Sequence, residues 1–159
     1  MKKLISLSII ILLVSGCAAI VPKLYKPIMN SRTYEVSYDE AWEVIPKAFT
    51  SSGEVVAVSQ KDSGLFSFKK YLEAEEFEKL ALAPKKVYFL DRPVLEVNVV
   101  TTKVDDKHVT VTINSHISGS FKKDFTTWCA SKVNSNGITE NNYLDKIQAL
   151  LNKGEGSNP

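Results

Sequence analysis

Two cysteines, two histidines and one pair of adjacent aspartates are the residues of this 159-residue chain best suited to do chemistry. Cys17 closes the stretch LLVSGCAAI directly behind the small residues Ser15 and Gly16, and Cys129 stands far from it in sequence. With only His108 and His116 beside them, and no paired spacing, they supply too few ligands for zinc. Asp105-Asp106 invites a metal or acid–base reading, but a hairpin turn explains two carboxylates between alternating apolar runs. There is no nucleophile elbow, no phosphate-cradling glycine loop and no HExxH helix. Trp42 and Trp128 are candidates for a ligand groove or for core packing. The expectation is a protein without catalytic activity, cofactor or metal.

The cysteine at position 17 has its own explanation. Met1-Lys2-Lys3 is a short basic start, and Leu4 to Gly16 are thirteen residues without charge. As a helix they would rise about 20 Å, short of a hydrocarbon core of roughly 30 Å. A basic start, a short apolar middle and small residues before a cut describe a secretory signal. Val14-Ser15-Gly16-Cys17 resembles the lipobox of bacterial lipoproteins. That resemblance implies a diacylglycerol thioether on Cys17, cleavage before it, and acylation of the new amino end. At about 0.8 kcal/mol per buried methylene, two or three chains hold where one would not. Ala18 follows; lipoproteins kept at the inner membrane of two-membrane bacteria typically carry Asp there. The resemblance therefore implies the outer membrane, on its periplasmic side.

Removing residues 1–16 takes away Lys2 and Lys3 and no acid, which leaves 18 basic against 18 acidic residues. A neutral chain gives no electrostatic case for nucleic acid or for an anionic lipid surface. Only Arg32 and Arg92 offer a planar guanidinium, so bidentate phosphate capture is poorly supplied. With Cys17 lipidated, Cys129 has no internal partner, and it is either a buried small side chain or a thiol for an intermolecular bridge.

The elements that would position these groups follow from periodicity. Residues 17–32 carry Pro22 and Pro27 and read as a lipidated tether, although Ile20, Leu24, Tyr25, Ile28 and Met29 are apolar enough to rest on a surface. A single domain is expected over 33–152, with 153–159 as a flexible tail. It opens with a short strand, TYEV. Ser37-Tyr38-Asp39-Glu40 matches a capping box, and Tyr38, Ala41, Trp42, Ile45, Ala48 and Phe49 form one helical stripe. Pro46 interrupts that stripe and Gly53 closes it.

Two strands, EVVAVSQ and GLFSFKK, turn around Lys61-Asp62-Ser63, with Val56, Val58, Phe66 and Phe68 on the expected buried parity. Residues 71–83 read as an inserted helix ended by Pro84, its face of Glu73, Glu75, Glu76 and Glu78 in water. Leu95, Val97 and Val99 alternate, as do Val109, Val111, Ile113 and Ile117. A three-residue loop Asp105-Asp106-Lys107 puts both sets on one core if Val99 faces Ile113. Glu96, Asn98, Thr110, Thr112 and Asn114 then face water. FKKDFTTWCASKV is a short helix or an irregular cover. After the turn 134–137, Thr139 is the expected cap of a last helix, with Tyr143, Ile147, Leu150 and Leu151 inward.

The resulting class is α+β: an antiparallel sheet of four to five strands on an N-terminal and a C-terminal helix, with an inserted helix. VSYDEAWEVIPKAF, VVAVSQKDSGLFSF and NSNGITENNYLDKI resemble the helix-grip domains of small outer-membrane lipoproteins, including the BamC-like accessory component of the β-barrel assembly machinery. The resemblance implies a lipid-anchored scaffold in envelope assembly or maintenance. Its partners are the membrane, through Cys17, and an envelope protein that meets the polar face of the 94–117 hairpin or the inserted helix. The alternative is a carrier of an apolar ligand or lipid between first helix and sheet, with Trp42, Phe49, Phe66 and Phe68 lining the pocket.

Overall fold

The computed structural model describes residues 28–50, 54–83, 88–89, 91–122 and 129–155. Cys17, the signal, the tether up to residue 27, Gly53, Pro84, Trp128 and the side chain of Cys129 lie outside the described residues. The elements are β1 (Ser31–Tyr34), α1 (Tyr38–Phe49), β2 (Val55–Gln60), β3 (Leu65–Tyr71), α2 (Ala74–Leu80), β4 (Tyr88–Phe89), β5 (Val94–Lys103), β6 (Val109–Lys122), β7 (Cys129–Asn134) and α3 (Ile138–Glu155). Among the described residues, no helix is long and apolar enough to cross a membrane.

The α+β class holds, with a larger sheet than expected. One antiparallel sheet runs β1-β6-β5-β3-β2, and β4 and β7 also pair with β6. The hairpin register is the expected one, Val99 opposite Ile113, an even-sum pairing that puts both valine-rich sets on one side and fits the three-residue loop. Of the two extra strands, β4 lies between α2 and β5, and β7 comes from the stretch read as a helix or irregular cover. There β6 continues to Lys122 and Cys129–Asn134 returns along it as β7. The first strand begins at Ser31, inside the expected tether, and Asn30 extends it by accepting a bond from the Ile113 amide at 2.7 Å. Ile28 lies against Gly137.

α1 starts on the expected capping box. The Glu40 amide donates to Ser37 Oγ at 3.3 Å and the Ser37 amide donates to Glu40 Oε2 at 2.9 Å. Ala41, Trp42, Ile45, Ala48 and Phe49 are buried, and the helix continues through Pro46 to Phe49. α1 lies over β5, and α3 over β6 and β1, with the two helices in contact. Phe49 joins the layers. Its ring centroid lies 5.5 Å from Phe66, 4.9 Å from Phe68 and 4.4 Å from Tyr143, distances at which aromatic pairs add to simple burial.

Two expectations fail at the edges of this core. Val56 and Val58 are 43% and 38% exposed. The ladder shifts between them, so Val56 faces Phe68 while Val58 falls on the opposite side, facing Ser67. Among the described residues the long helices pack chiefly on β5, β6 and β1 rather than on β2, so even correct parity leaves Val56 wet. Thr139 is not the cap of α3. The helix begins one residue earlier, where the Ile138 amide donates to Asn136 Oδ1 at 3.1 Å and the Gly137 amide donates to Ser135 Oγ.

Candidate functional site

Among the described residues, the helices pack on the side of the sheet that carries the buried core side chains, and no helix packs on the opposite side. Period-two alternation puts Ser31 and Thr33 of β1, Thr110, Thr112 and Asn114 of β6, and Glu96, Asn98 and Thr102 of β5 there. They form a ladder of short polar side chains. Asn30 Nδ2 donates to Asn114 Oδ1 at 2.8 Å, Ser31 and Thr112 hydroxyls meet at 3.0 Å, and Thr33 and Thr110 hydroxyls at 2.9 Å. β-branched threonine suits the pleat, and each cross-strand hydroxyl pair holds its neighbour in one rotamer. The result is a flat face with donors and acceptors at fixed spacing.

Towards β7 the ladder gives way to charge. Glu96 Oε1 accepts from Lys69 Nζ at 3.3 Å and from Ser118 Oγ at 3.0 Å, while His116 Nε2 lies 3.2 Å from Glu96 Oε2. Partial burial alone would raise the Glu96 pKa, but the Ser118 hydroxyl and the Lys69 ammonium outweigh it and hold the carboxyl below its usual range. His116 is also pushed down, which for an imidazole disfavours the charged form. Burial lowers its pKa first, the charge of Lys132 adds to that, and Glu96 only partly compensates.

The folded state therefore resists protonation of His116 more than the unfolded chain does, with a consequence for stability. Stability is complete above the ordinary imidazole pKa and falls as the pH drops through it towards the lower folded value. Urea unfolding at about pH 7.5 and about pH 5.5 should show this loss, and His116→Gln should reduce the difference between the two pH values. An unchanged difference in the variant would assign the loss to other groups.

The remaining sequence candidates are placed as follows. His108 and Asp105 belong to the β5–β6 turn, where Asp105 Oδ1 accepts from the Lys107 amide at 2.7 Å and from His108 Nδ1 at 2.8 Å. The Lys107 amide and then His108 hold the Asp105 carboxyl below its usual range. Asp106 pairs with Lys103. Of the acidic face of α2, Glu75 and Glu78 are exposed, whereas Glu76 turns to Lys70 at 2.7 Å and Glu73 bonds Arg92. Phe49, Phe66 and Phe68 are at most 1% exposed and fill the space between α1 and the sheet with one another's rings. Trp42, 9% exposed, stacks on Tyr38.

A polar constellation that periodicity does not reveal lies on the covered side. Glu140, in the first turn of α3, is 2% exposed. Its Oε1 accepts from Ser115 Oγ at 2.6 Å and from the Ser115 amide at 3.2 Å; its Oε2 accepts from Ser135 Oγ at 2.7 Å. β1 pairs with β6 at 109–112 and β7 pairs with it from His116 onwards. The Glu140 carboxylate occupies the gap between them and satisfies an amide that no strand reaches. A carboxylate at a helix N-terminus is also favoured by the helix dipole. The visible signal was Ser115, a serine at core parity between Ile113 and Ile117.

No protein-family model matches the chain, and no curated protein matches it at a significant level of similarity.

Proposed function

We propose that the protein is a non-enzymatic, lipid-anchored binding lipoprotein on the periplasmic side of the bacterial outer membrane, holding an envelope protein against the open face of its sheet. The observation that carries the contact part is the one-sided covering of the sheet. The helices take up the apolar face and leave a flat ladder of hydroxyls and amides presented by β1, β6 and β5. Rigid strands make such a surface a better template for a protein partner than for a small molecule, which needs a concave site. The anchoring part rests on Val14-Ser15-Gly16-Cys17 behind a basic start and an uncharged run. The segments VSYDEAWEVIPKAF, VVAVSQKDSGLFSF and NSNGITENNYLDKI support a kinship with helix-grip lipoproteins of the BamC-like type.

Photo-crosslinking in intact cells tests the contact. A photoreactive residue at Asn98 or Asn114 should yield one adduct of fixed size that the same probe at Lys47, on the exposed side of α1, does not. Equal or absent adducts at both places would remove the open face as the contact. Anchoring is tested by Cys17→Ser, which should leave the membrane fraction or persist as an uncut precursor. A natural product with a bare thiol and no acyl mass would overturn it.

A further inference from the structure

β2 is the last strand at one edge of the sheet, and among the described residues it pairs only with β3. Such an edge presents unpaired amides and carbonyls, which soluble proteins blunt with charge, proline or shortness. The strand at the other end of the sheet follows that rule: β1 is four residues long and carries Arg32. β2 does not. Its six residues, VVAVSQ, hold no charge and no proline, and every one of them is exposed, Val55 to 67%.

The one protective device on β2 is its bulge, and the bulge makes the strand symmetric. Val56 stands opposite Phe68 and Val58 opposite Ser67, so Ala57 is the extra residue and Ala57-Val58 act as one position. Because the bulge shifts the alternation, Val56 and Ser59 share the helix side with Phe68 and Phe66, while Val55 and Gln60 share the open side. A strand of this kind laid antiparallel on its own copy, bulge against bulge, pairs Val56 with Ser59 and Val55 with Gln60, each on a matching side. The next pair outward is Glu54 with Lys61, of opposite charge. Both point to the helix side, where Glu54 Oε1 accepts from the Tyr143 hydroxyl at 3.0 Å and Lys61 Nζ lies 2.7 Å from Asp39 Oδ1. Those partners do not exhaust them, because a carboxylate accepts several bonds and an ammonium donates three.

We propose that β2 is a docking edge for a second copy of this chain, the two copies joining β2 to β2 across a two-fold axis at the Ala57-Val58 bulge. The contact is isologous, so it closes at two copies instead of growing into a fibre. One antiparallel sheet then runs through both copies, and Val55 and Val58, now in water, are partly covered by the facing strand. A strand from an unrelated protein meets the same free amides but has no reason to repeat the order acid, bulge, base. The pairing uses the edge of the sheet and leaves its open face accessible, so it goes beyond the contact assigned to an envelope protein and does not depend on it.

Oxidative crosslinking of the full chain tests the register. Val55→Cys combined with Gln60→Cys should give a covalent dimer beyond that of the unsubstituted chain, with a disulfide between residues 55 and 60 of different copies. Val55→Cys with Ser59→Cys, which face opposite sides, should give at least about tenfold less. Sedimentation of the unsubstituted chain should show a dimer. Val58→Lys should weaken it by about tenfold or more, since like charges then meet at the axis, whereas Val58→Thr should keep it. Circular dichroism of Val58→Lys should remain that of the folded chain, because the position is exposed. A chain that sediments as a monomer up to about 100 μM, equal crosslinking by the two cysteine pairs, or adducts only to another protein would overturn the pairing.

Discussion

Glu140→Ala should destabilise the domain by about 3–5 kcal/mol, enough to unfold much of a protein whose total stability is of order 5–15 kcal/mol. The substitution leaves two hydroxyls and one backbone amide without their acceptor, those of the half-buried Ser115 and the hydroxyl of the buried Ser135. Each unsatisfied donor costs about 1–3 kcal/mol. Water cannot easily replace the carboxylate, because Glu140 and Ser135 are at most 2% exposed. Chemical denaturation of a graded series separates the contributions. Glu140→Gln keeps one acceptor oxygen but presents an amide to a donor, so it should fall between wild type and Ala. Ser115→Ala removes one donor with its bond and should cost least, about 1 kcal/mol. If Glu140→Ala were no more harmful than Ser115→Ala, the carboxylate would not be holding the gap in the ladder.

Gly64→Ala is the second large effect. Gly64 closes the β2–β3 turn at φ 66°, a conformation that costs an L side chain about 1–2 kcal/mol. A Cβ built there would stand 2.2 Å from the Thr101 carbonyl oxygen, a backbone atom of β5. That oxygen cannot rotate away, and the Thr101 amide is itself donated to the Gly64 carbonyl at 2.8 Å. The turn must therefore lift off β5, taking with it the register that seats Phe66 and Phe68 under Phe49. A loss of about 3 kcal/mol or more is expected, the sum of backbone strain and disturbed packing. Asn, which tolerates positive φ better than Ala, gives no relief because the collision is with its Cβ. Thermal unfolding of Gly64→Ala and Gly64→Asn should show similar losses, and a mild effect of Asn alone would locate the cost in φ rather than in the collision.

The amphipathic stripe of α1, its capping box and the β5–β6 register were legible because each rests on a local rule. A period of 3.6, a Ser-x-x-Glu spacing and an even sum of paired residue numbers need no knowledge of distant segments. The failures share the opposite property. Parity alone placed Val56 and Val58 inward, but a bulge and the reach of the helices decided otherwise. β7 was hidden because CASKVN carries a single β-branched residue, Val133, and no apolar alternation, and it becomes a strand only when the long β6 offers a template. The Glu140 site was hidden for the same reason: its partners lie 25 and 5 residues away on two different elements. For the open face, sequence alternation identified which side chains point outward, and the structure added the hydroxyl and amide pairing that fixes their geometry.

The placing of β1 also dictates when the fold can close. Its cross-strand side-chain bonds span 77 to 84 residues, Arg32 reaches Asp145 across 113, and the Tyr34 hydroxyl reaches the Leu144 carbonyl across 110. The earliest strand among the described residues therefore has no strand to pair with until β6 has been made, and its contacts are complete only with α3. Such distant closures are the slow ones. A chain delivered amino end first must keep residues 31–34 waiting until β6 emerges, and the stretch of β6 beyond β1 stays uncovered until β7 and α3 follow.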